Sequence, residues 1–333
     1  MRVAIIGAPL ALGQSRPGVG LAPEALRRSG LLEAISQLEY EVVDTGDLEF
    51  PKAIQHEAEV EIPSSDFDGP RRHLFSESET TTTTISAIIS KMKYAAEVGE
   101  SCRMLAQRVE ERARSGDFCL TLGGDHSIAM GSIPGILAAR PNTALIWVDA
   151  HGDFNTPETS PSGNLHGMPL AMVLGYTRLK IRGFEWLQGE GSVLGRLAPS
   201  QVALVGVREL DPGERRLLRE AGVHVYSMSE IDRYGIGAVM DRAMDSINGD
   251  GRRNFHISFD VDSIDPSEAP GTGTKVKGGL TYREAHTILE MVAGSGRLTS
   301  MDLAEVNPEL DVNGQTTALG VELIASALGK AIF

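Results

Sequence analysis

The chain has 333 residues, of which 41% are hydrophobic, and it carries a formal net charge of -14. This composition is typical of a soluble globular protein, and no basic stripe points to a nucleic-acid partner. No apolar run is long enough to predict a membrane span. Two cysteines without a CxxC pair exclude a zinc knuckle and a disulfide framework. Gly and Pro interrupt the N-terminal apolar run early, so we expect a cytoplasmic protein without a signal peptide.

The first part of the chain alternates between short apolar runs and helical patterns. RVAIIGAP predicts a strand, APEALRRSGLLEAISQL a helix and YEVVDTGDL a second strand. Residues 59–84 are rich in Ser, Thr, Pro and charge and have no clear period, which predicts a long surface loop. A long helical pattern beginning with ISAIISKM then ends at Gly116.

The alternation continues to the end of the chain. Strand-like runs are FCLTLGG, TALIWVDA, QVALVGV, VHVYSM, RNFHISFDVD and LTSMDLAEVNP. Helical patterns such as SIAMGSIPGILAARP, ERRLLREAG, IGAVMDRAMDSING and TYREAHTILEMVAGSG lie between them. This order predicts an α/β fold with a parallel sheet covered by helices on both faces. Cys102 and Cys119 are expected to be core residues.

Acidic and imidazole side chains follow four of the predicted strands at their carboxyl ends. These side chains belong to His126, Asp149, His151, Asp153, Asp260, Asp262 and Glu305. Ligands of open α/β sheets bind beyond the carboxyl ends of the strands, so we expect these groups to lie at one edge of the sheet. Their spacing by two residues also places neighbouring ligands on one side of extended backbone.

Such a crowd of carboxylates is unfavourable without cations, because repulsion and desolvation are large. Four aspartates and two histidines provide mostly oxygen donors, which favours Mn²⁺ over a thiolate-bound zinc. Six ligands suit two metal ions that share bridging carboxylates. Each motif alone has a simpler interpretation as a helix cap or a turn, and only the combination indicates a metal centre.

Several motifs in order then resemble a known family. GGDHS, DAHGD with SGNLHG, SFDVDSIDP and MDLAEVNP are together similar to the ureohydrolases, and in particular to arginases. The similarity extends over nearly the whole chain. It implies a single domain over residues 1–333, built as a three-layer αβα fold around a mostly parallel eight-stranded sheet. It also implies an enzyme of arginine metabolism and the urea cycle that hydrolyses L-arginine to L-ornithine and urea with two Mn²⁺ per subunit.

The resemblance assigns roles to individual residues. One metal would be bound by His126, Asp149, Asp153 and Asp260, and the other by Asp149, His151, Asp260 and Asp262. Asp149 and Asp260 would bridge, and a hydroxide between the metals would attack the guanidinium carbon. Glu305 would pair with the guanidinium, Asp153 would protonate the leaving amine, and His166 would shuttle protons.

The same resemblance places the amino-acid end of the substrate. The residues that match its polar contacts are Asn155, Ser160, Ser162 and Asn164 for the α-carboxylate, Asp211 with Glu214 for the α-ammonium, and Thr274 as a pocket hydroxyl. Arg283 and Glu284 match an intersubunit ion-pair position, so a homo-oligomer, either a trimer or a hexamer, is expected.

Four other classes of protein compete with this interpretation. An agmatinase, or an enzyme for another guanidino compound, would keep the six ligands but lack SGN before LHG. A zinc-dependent deacetylase would use one metal, and a non-catalytic metal-binding regulator would have lost ligands. A dehydrogenase would need more of the dinucleotide fingerprint than the GVG at residues 18–20.

Overall fold

The computed structural model describes residues 2–53, 60–61, 91–177, 179–188 and 197–330. Its strands are β1 Arg2–Ala8, β2 Glu41–Asp47, β3 Val60–Glu61, β4 Phe118–Gly123, β5 Thr143–Val148, β6 Lys180–Ile181, β7 Val202–Val207, β8 His224–Ser227, β9 Asn254–Asp260 and β10 Leu298–Ala304. Its α-helices are α1 Ala22–Arg28, α2 Leu31–Ser36, α3 Ala95–Arg114, α4 Ala129–Ala139, α5 Pro169–Val173, α6 Glu185–Gln188, α7 Pro212–Ala221, α8 Met228–Tyr234, α9 Ile236–Asn248, α10 Tyr282–Gly294 and α11 Gln315–Ala327.

Eight strands form one sheet in the order β2-β1-β4-β10-β9-β5-β7-β8, and every pair of neighbours is parallel. β3 and β6 form a separate antiparallel pair. The helices cover both faces of the main sheet, so the predicted three-layer α/β fold is confirmed. None of the helices in the described ranges is both long and apolar enough to cross a bilayer.

Two cores lie on opposite faces of the sheet. Successive residues of the buried strand β5 alternate between them: Ile146 and Val148 pack with α1, α2 and α8–α11, whereas Leu145 and Trp147 pack with α3–α5 and α7. Burial on both faces explains why the strand reads as a continuous apolar run. Cys102 and Cys119 are buried in the second core, as predicted.

The boundaries of two predicted helices are compared with the structure as far as it is described. The first predicted helix is divided into α1 and α2 because Gly30 adopts a left-handed φ of 88° between them. Of the long helical pattern, residues 85–90 lie outside the described residues, and α3 begins directly after Tyr94, which has a φ of 57°. The predicted loop at 59–84 falls outside the described residues apart from Val60–Glu61, which form β3.

The helices without a counterpart among the predicted elements are α5, α6, α8 and α11, of which α11 is the longest. This last helix is buried over much of its circumference, with apolar and small residues on several sides, so its sequence lacks the single apolar stripe of a surface helix.

The register of the central strands determines where the site lies. Val148 of β5 pairs with Phe259 of β9, and Asp260 pairs with Ala304 of β10, so the residues that follow these strands emerge side by side.

Gly124, just after β4, is packed against the backbone of the loop that follows β1. A Cβ atom there would lie 2.0 Å from the Leu10 carbonyl oxygen. We expect Gly124→Ala to lower the free energy of unfolding by at least about 1–3 kcal/mol, because backbone must move to admit the methyl group. Urea denaturation measures the change.

The matched control is Gly237→Ala in α9, where a Cβ would meet no atom within 4 Å among the described residues. This control is expected to leave stability unchanged or raise it by up to about 1 kcal/mol, because alanine favours helix. Equal unfolding midpoints for the two variants would contradict the steric interpretation.

Candidate metal centre and substrate cavity

Four adjacent strands, β4, β10, β9 and β5, bring the predicted site residues to one edge of the sheet. His126 follows β4, Glu305 follows β10, Asp260 ends β9 and Asp149 follows β5. All four residues are buried. Because neighbouring parallel strands end at the same edge, residues far apart in sequence meet there.

The first cluster is centred on His126. Its Nδ1 atom lies 3.2 Å from a carboxylate oxygen of each of Asp149, Asp153 and Asp260. Within the described part of the chain, this buried nitrogen has no hydrogen-bond partner of acceptable geometry. Three carboxylates that converge on one unpartnered imidazole nitrogen are a donor set suited to a divalent cation.

The second cluster is centred on His151. Its Nδ1 atom lies 3.3 Å from Asp149 Oδ1 and 3.1 Å from Asp262 Oδ2. Asp149 therefore contributes one oxygen to each cluster. Asp260 is arranged differently, because its Oδ2 faces His126 but no carboxylate–imidazole contact joins it to His151 within the described residues. Its Oδ1 accepts a hydrogen bond of 2.7 Å from the Asp262 amide, just as Asp149 Oδ1 accepts one of 2.7 Å from the His151 amide. Bridging by Asp149 agrees with this geometry, and bridging by Asp260 stays a prediction.

The electrostatics of the clusters are those of crowded, desolvated charges. Burial, together with the neighbouring Asp149 carboxylate, raises the pKa of Asp153 to about 7. Burial and the carboxylates of Asp262 and Asp149 also raise the pKa of Asp260. Burial opposes protonation of His126, but its three carboxylate neighbours outweigh burial and raise its pKa. The site therefore favours added positive charge, which protons or metal ions supply.

Two site residues have an unusual backbone conformation. Asp153 has a φ of 48° and Glu305 a φ of 63°, both in the left-handed region that non-glycine residues seldom adopt. The Asp153 carbonyl accepts a hydrogen bond of 3.0 Å from Leu170, and the Glu305 amide donates one of 2.9 Å to Gly124. Such conformations persist where surrounding contacts hold them, and they are concentrated at functional sites.

Sequence analysis missed the residues that orient His126. The Trp147 ring stacks on its imidazole at a centroid distance of 4.1 Å. At the edge of the ring, the Ser258 hydroxyl lies 2.9 Å from Nε2 and donates a hydrogen bond of 3.4 Å to Asp302. The buried His256 Nε2 lies 3.1 Å from the same Asp302 carboxylate. Polar residues at alternate positions of the buried strands β9 and β10 were the available signal. Contacts of this kind fix the orientation of a ligating imidazole.

Glu305 connects the first cluster to the predicted proton shuttle. Its Oε1 atom accepts hydrogen bonds of 2.9 Å from the His126 amide and lies 2.9 Å from His166 Nδ1. Burial disfavours a charged His166, but the Glu305 carboxylate outweighs it and raises the His166 pKa to about 9. Burial would raise the pKa of Glu305, and His166 reverses this and lowers it. The two residues thus form an ion pair beside the metal candidates.

A cavity of about 330 Å³ opens over the two clusters. It is lined by all the residues predicted to contact the amino-acid end of a substrate, which are Asn155, Ser160, Ser162, Asn164, Asp211, Glu214 and Thr274. Glu305 is not among the residues that line the cavity. Its Oε1 atom lies 2.9 Å from Nδ1 of His166, which does line it. The structure therefore brings the predicted metal and substrate residues into one space.

Some of these residues already have partners. Asn155 Nδ2 donates a hydrogen bond of 3.0 Å to Asp211, and the Thr274 hydroxyl donates one of 2.7 Å to Asp262. The Glu214 carboxylate accepts hydrogen bonds from the Phe154 and Asp211 amides at 2.9 and 3.2 Å. Glu214 is buried and capped in this way, so its geometry is that of a residue that positions Asp211.

The predicted oligomer residues make contacts within the chain. Arg283 forms two hydrogen bonds of 3.0 Å with Glu290, and Glu284 accepts one of 2.9 Å from the Thr281 amide as part of a helix cap. Arg283 is exposed on α10, and Glu284 is partly buried. Their role between subunits stays a prediction.

The structure combines a parallel α/β sheet, two carboxylate–imidazole clusters at its carboxyl edge and a polar cavity above them. These features define a class of proteins with a candidate dinuclear metal centre. The family model described as "Arginase family" matches residues 1–329, and the chain belongs to this family.

Individual relatives agree with the family. The chain is 40% identical to the hepatic arginase of Aquarana catesbeiana, over 99% of this chain and 93% of that protein. It is 39% identical to the arginase of Bacillus caldovelox over 99% of both chains. The solved structure of the Bacillus caldovelox arginase superimposes with a TM-score of 0.83 and 38% identity, covering 100% of this chain and 99% of that one.

Proposed function

We propose that this protein hydrolyses L-arginine to L-ornithine and urea. The observation that carries the proposal is the position of Asp149, which contributes one oxygen to each carboxylate–imidazole cluster beneath the substrate cavity. Membership of the arginase family and identity of about 40% to named arginases over nearly the full chain support it.

We propose Mn²⁺ as the metal, because the donors are mostly carboxylate oxygens with two imidazoles. His126, Asp149, Asp153 and Asp260 would hold one ion. Asp149, His151 and Asp262 would hold the other, with Asp260 as the predicted second bridge. When bound, the ions lower the pKa of water and so supply hydroxide at neutral pH.

The protein's own side chains would bind the substrate and move protons. The buried Glu305 carboxylate would pair with the guanidinium group in a charge-assisted contact. Asp153, which lines the cavity, would carry a proton to the leaving amine. His166, which is less buried and borders the cavity, would exchange protons with solvent. Asn155, Ser160, Ser162 and Asn164 would bind the α-carboxylate, and Asp211 the α-ammonium.

Purified protein, supplied with Mn²⁺ and incubated with L-arginine, tests the proposal. We expect one urea and one ornithine for each arginine consumed. The panel also includes agmatine and guanidinobutyrate. Urea release only from one of these other compounds would assign the protein to another guanidino substrate, and no urea from any of them would refute the hydrolase assignment.

The shared position of Asp149 predicts the metal content of two variants. Asp149→Ala removes a donor from both clusters, so we expect bound metal to fall from two ions towards none per chain. His126→Ala removes a donor from one cluster only and is expected to retain about one ion. Elemental analysis after gel filtration measures both, and Asp241→Ala on the exposed face of α9 is the control. Two ions in the Asp149 variant would contradict sharing.

The homo-oligomer, the cytoplasmic location, the single domain and the place in the urea cycle remain predictions.

A further inference from the structure

A second cavity of about 500 Å³ lies at the mouth of the substrate cavity. The two cavities share His151, Asn164, His166, Glu209 and Thr274, so they are continuous. Besides the shared residues, this mouth cavity is lined by Arg16, Lys275 and Thr272, among others. Two cations thus border the entrance to a site otherwise rich in carboxylates.

Hydrogen bonds connect the backbone segments that carry both cations to residues of the site. The Gln14 side chain accepts a hydrogen bond of 2.7 Å from the Arg16 amide and donates one to the Arg16 carbonyl. One residue before Gln14, the Gly13 carbonyl accepts a hydrogen bond of 3.1 Å from the His166 amide. Lys275 directly follows Thr274, whose hydroxyl is bound to Asp262. The positions of the two cations are therefore coupled to site residues.

The charged groups of the mouth are available for a ligand. Among the contacts of the described residues, the Arg16 guanidinium and the Lys275 ammonium have no ion pair, and both residues are exposed. Thr272, only 1% exposed, lines the same cavity, and its hydroxyl has no hydrogen-bond partner within the described ranges. The mouth cavity therefore has two positively charged groups and one buried hydroxyl that can bind an anion.

Acidic groups line the same two cavities. Glu209 lines both cavities, and Asp211 lines the inner one. An α-amino acid presents a carboxylate and an ammonium group on one carbon atom, and this pairing of cationic and acidic groups is complementary to it. A guanidino amine that lacks the carboxylate has no anionic group for Arg16 and Lys275 to bind.

We propose that Arg16 and Lys275 form a cationic mouth that selects guanidino substrates bearing an α-carboxylate and orients them with the guanidinium group inwards. This inference rests on the proposed function and adds two specificity-determining residues to it. The chain's charge of -14 draws cations of any kind towards the molecule, so discrimination at the entrance requires positive charge placed locally.

The test compares Arg16→Gln, Lys275→Gln and the double variant with the wild type, all loaded with Mn²⁺. The matched control is Lys277→Gln, an exposed lysine two residues along the same loop that is not among the described residues lining either cavity. kcat and KM are measured for L-arginine and for agmatine at low and high salt.

We expect the double variant to lower kcat/KM for L-arginine roughly tenfold at low salt, through KM, with kcat unchanged. The value for agmatine should stay constant or rise, and high salt should reduce the difference, since it screens exposed charges. The control should change by less than about twofold. Equal losses for both substrates, a loss in kcat, or the same loss in Lys277→Gln would overturn the inference.

The proposed function and the cationic mouth fail in different ways. If the wild type releases no urea from L-arginine, the proposed function is refuted. Calorimetric binding of L-arginine and agmatine to the same variants then tests the mouth by itself. Unchanged relative affinity in the double variant would refute the mouth, whereas a selective loss of L-arginine binding would support it.

Discussion

Removal of bound metal is expected to reduce urea release from L-arginine to the uncatalysed background, and Mn²⁺ is expected to restore it. The reason lies in the two clusters at His126 and His151, where Asp149 contributes oxygen atoms to both. Without a cation, these groups carry unfavourable charge in a buried place, and the hydroxide that the ions would supply is lost. The measurement is urea release before chelation, after it, and after reloading with one metal at a time.

Metal analysis accompanies each step, so that loss of activity is compared with loss of ions. Ligands must be deprotonated to bind, so the affinity for Mn²⁺ should fall as the pH is lowered. Circular dichroism of the chelated protein controls for unfolding. Full activity in protein that contains no metal by elemental analysis would refute the dinuclear mechanism. Restoration by Co²⁺ or Ni²⁺ but not by Mn²⁺ would refute only the choice of metal.

The second large effect is expected in substrate choice: kcat/KM for L-arginine should exceed that for agmatine by about 10⁴-fold. The cavity is lined by Asn155, Ser162, Asn164 and Asp211, which provide polar partners for the α-carbon substituents. Agmatine has the same guanidinium group but no α-carboxylate. Polar groups that are desolvated and left unpaired cost more free energy than a missing apolar contact, which explains the size of the ratio.

Asp211→Ala tests the same selectivity from the protein's side. Asp211 lines the cavity, and Asn155 Nδ2 donates a hydrogen bond of 3.0 Å to its carboxylate. We expect KM for L-arginine to rise more than kcat falls, because the residue binds the end of the substrate remote from the reacting carbon. Asp211→Asn, which keeps the shape but removes the charge, is the matched variant. Equal hydrolysis of agmatine and L-arginine by the wild type would refute the arginase assignment and leave the metal site intact.

Local sequence was sufficient for the type of fold and for the identity of the metal-ligand candidates. Buried parallel strands such as β5 are apolar on both faces, so they appear as uninterrupted apolar runs between helical patterns. Polar residues that directly follow such runs stand out, as Asp149, His151 and Asp153 do after TALIWV. Ligands of open α/β sheets bind beyond the carboxyl ends of the strands. The position of these residues directly after predicted strands therefore indicated where the site lies.

Only the tertiary structure decided how those residues meet and what holds them. The adjacency of β4, β10, β9 and β5 is a matter of long-range pairing, and no local pattern specifies it. The left-handed backbone of Asp153 and Glu305, and the contacts of Trp147 and Ser258 with His126, also depend on residues distant in sequence.

Dependence on long-range packing also explains why α11 and the mouth of the cavity were not predicted. α11 is buried by neighbours on several sides, so its own sequence has no single apolar stripe to reveal it. Arg16 and Lys275 are 259 positions apart in the chain, and each by itself is an ordinary exposed cation. Their shared cavity exists because the loop after β1 and the segment that follows β9 both pack against the carboxyl edge of the sheet, a juxtaposition set by long-range packing and not by local propensity.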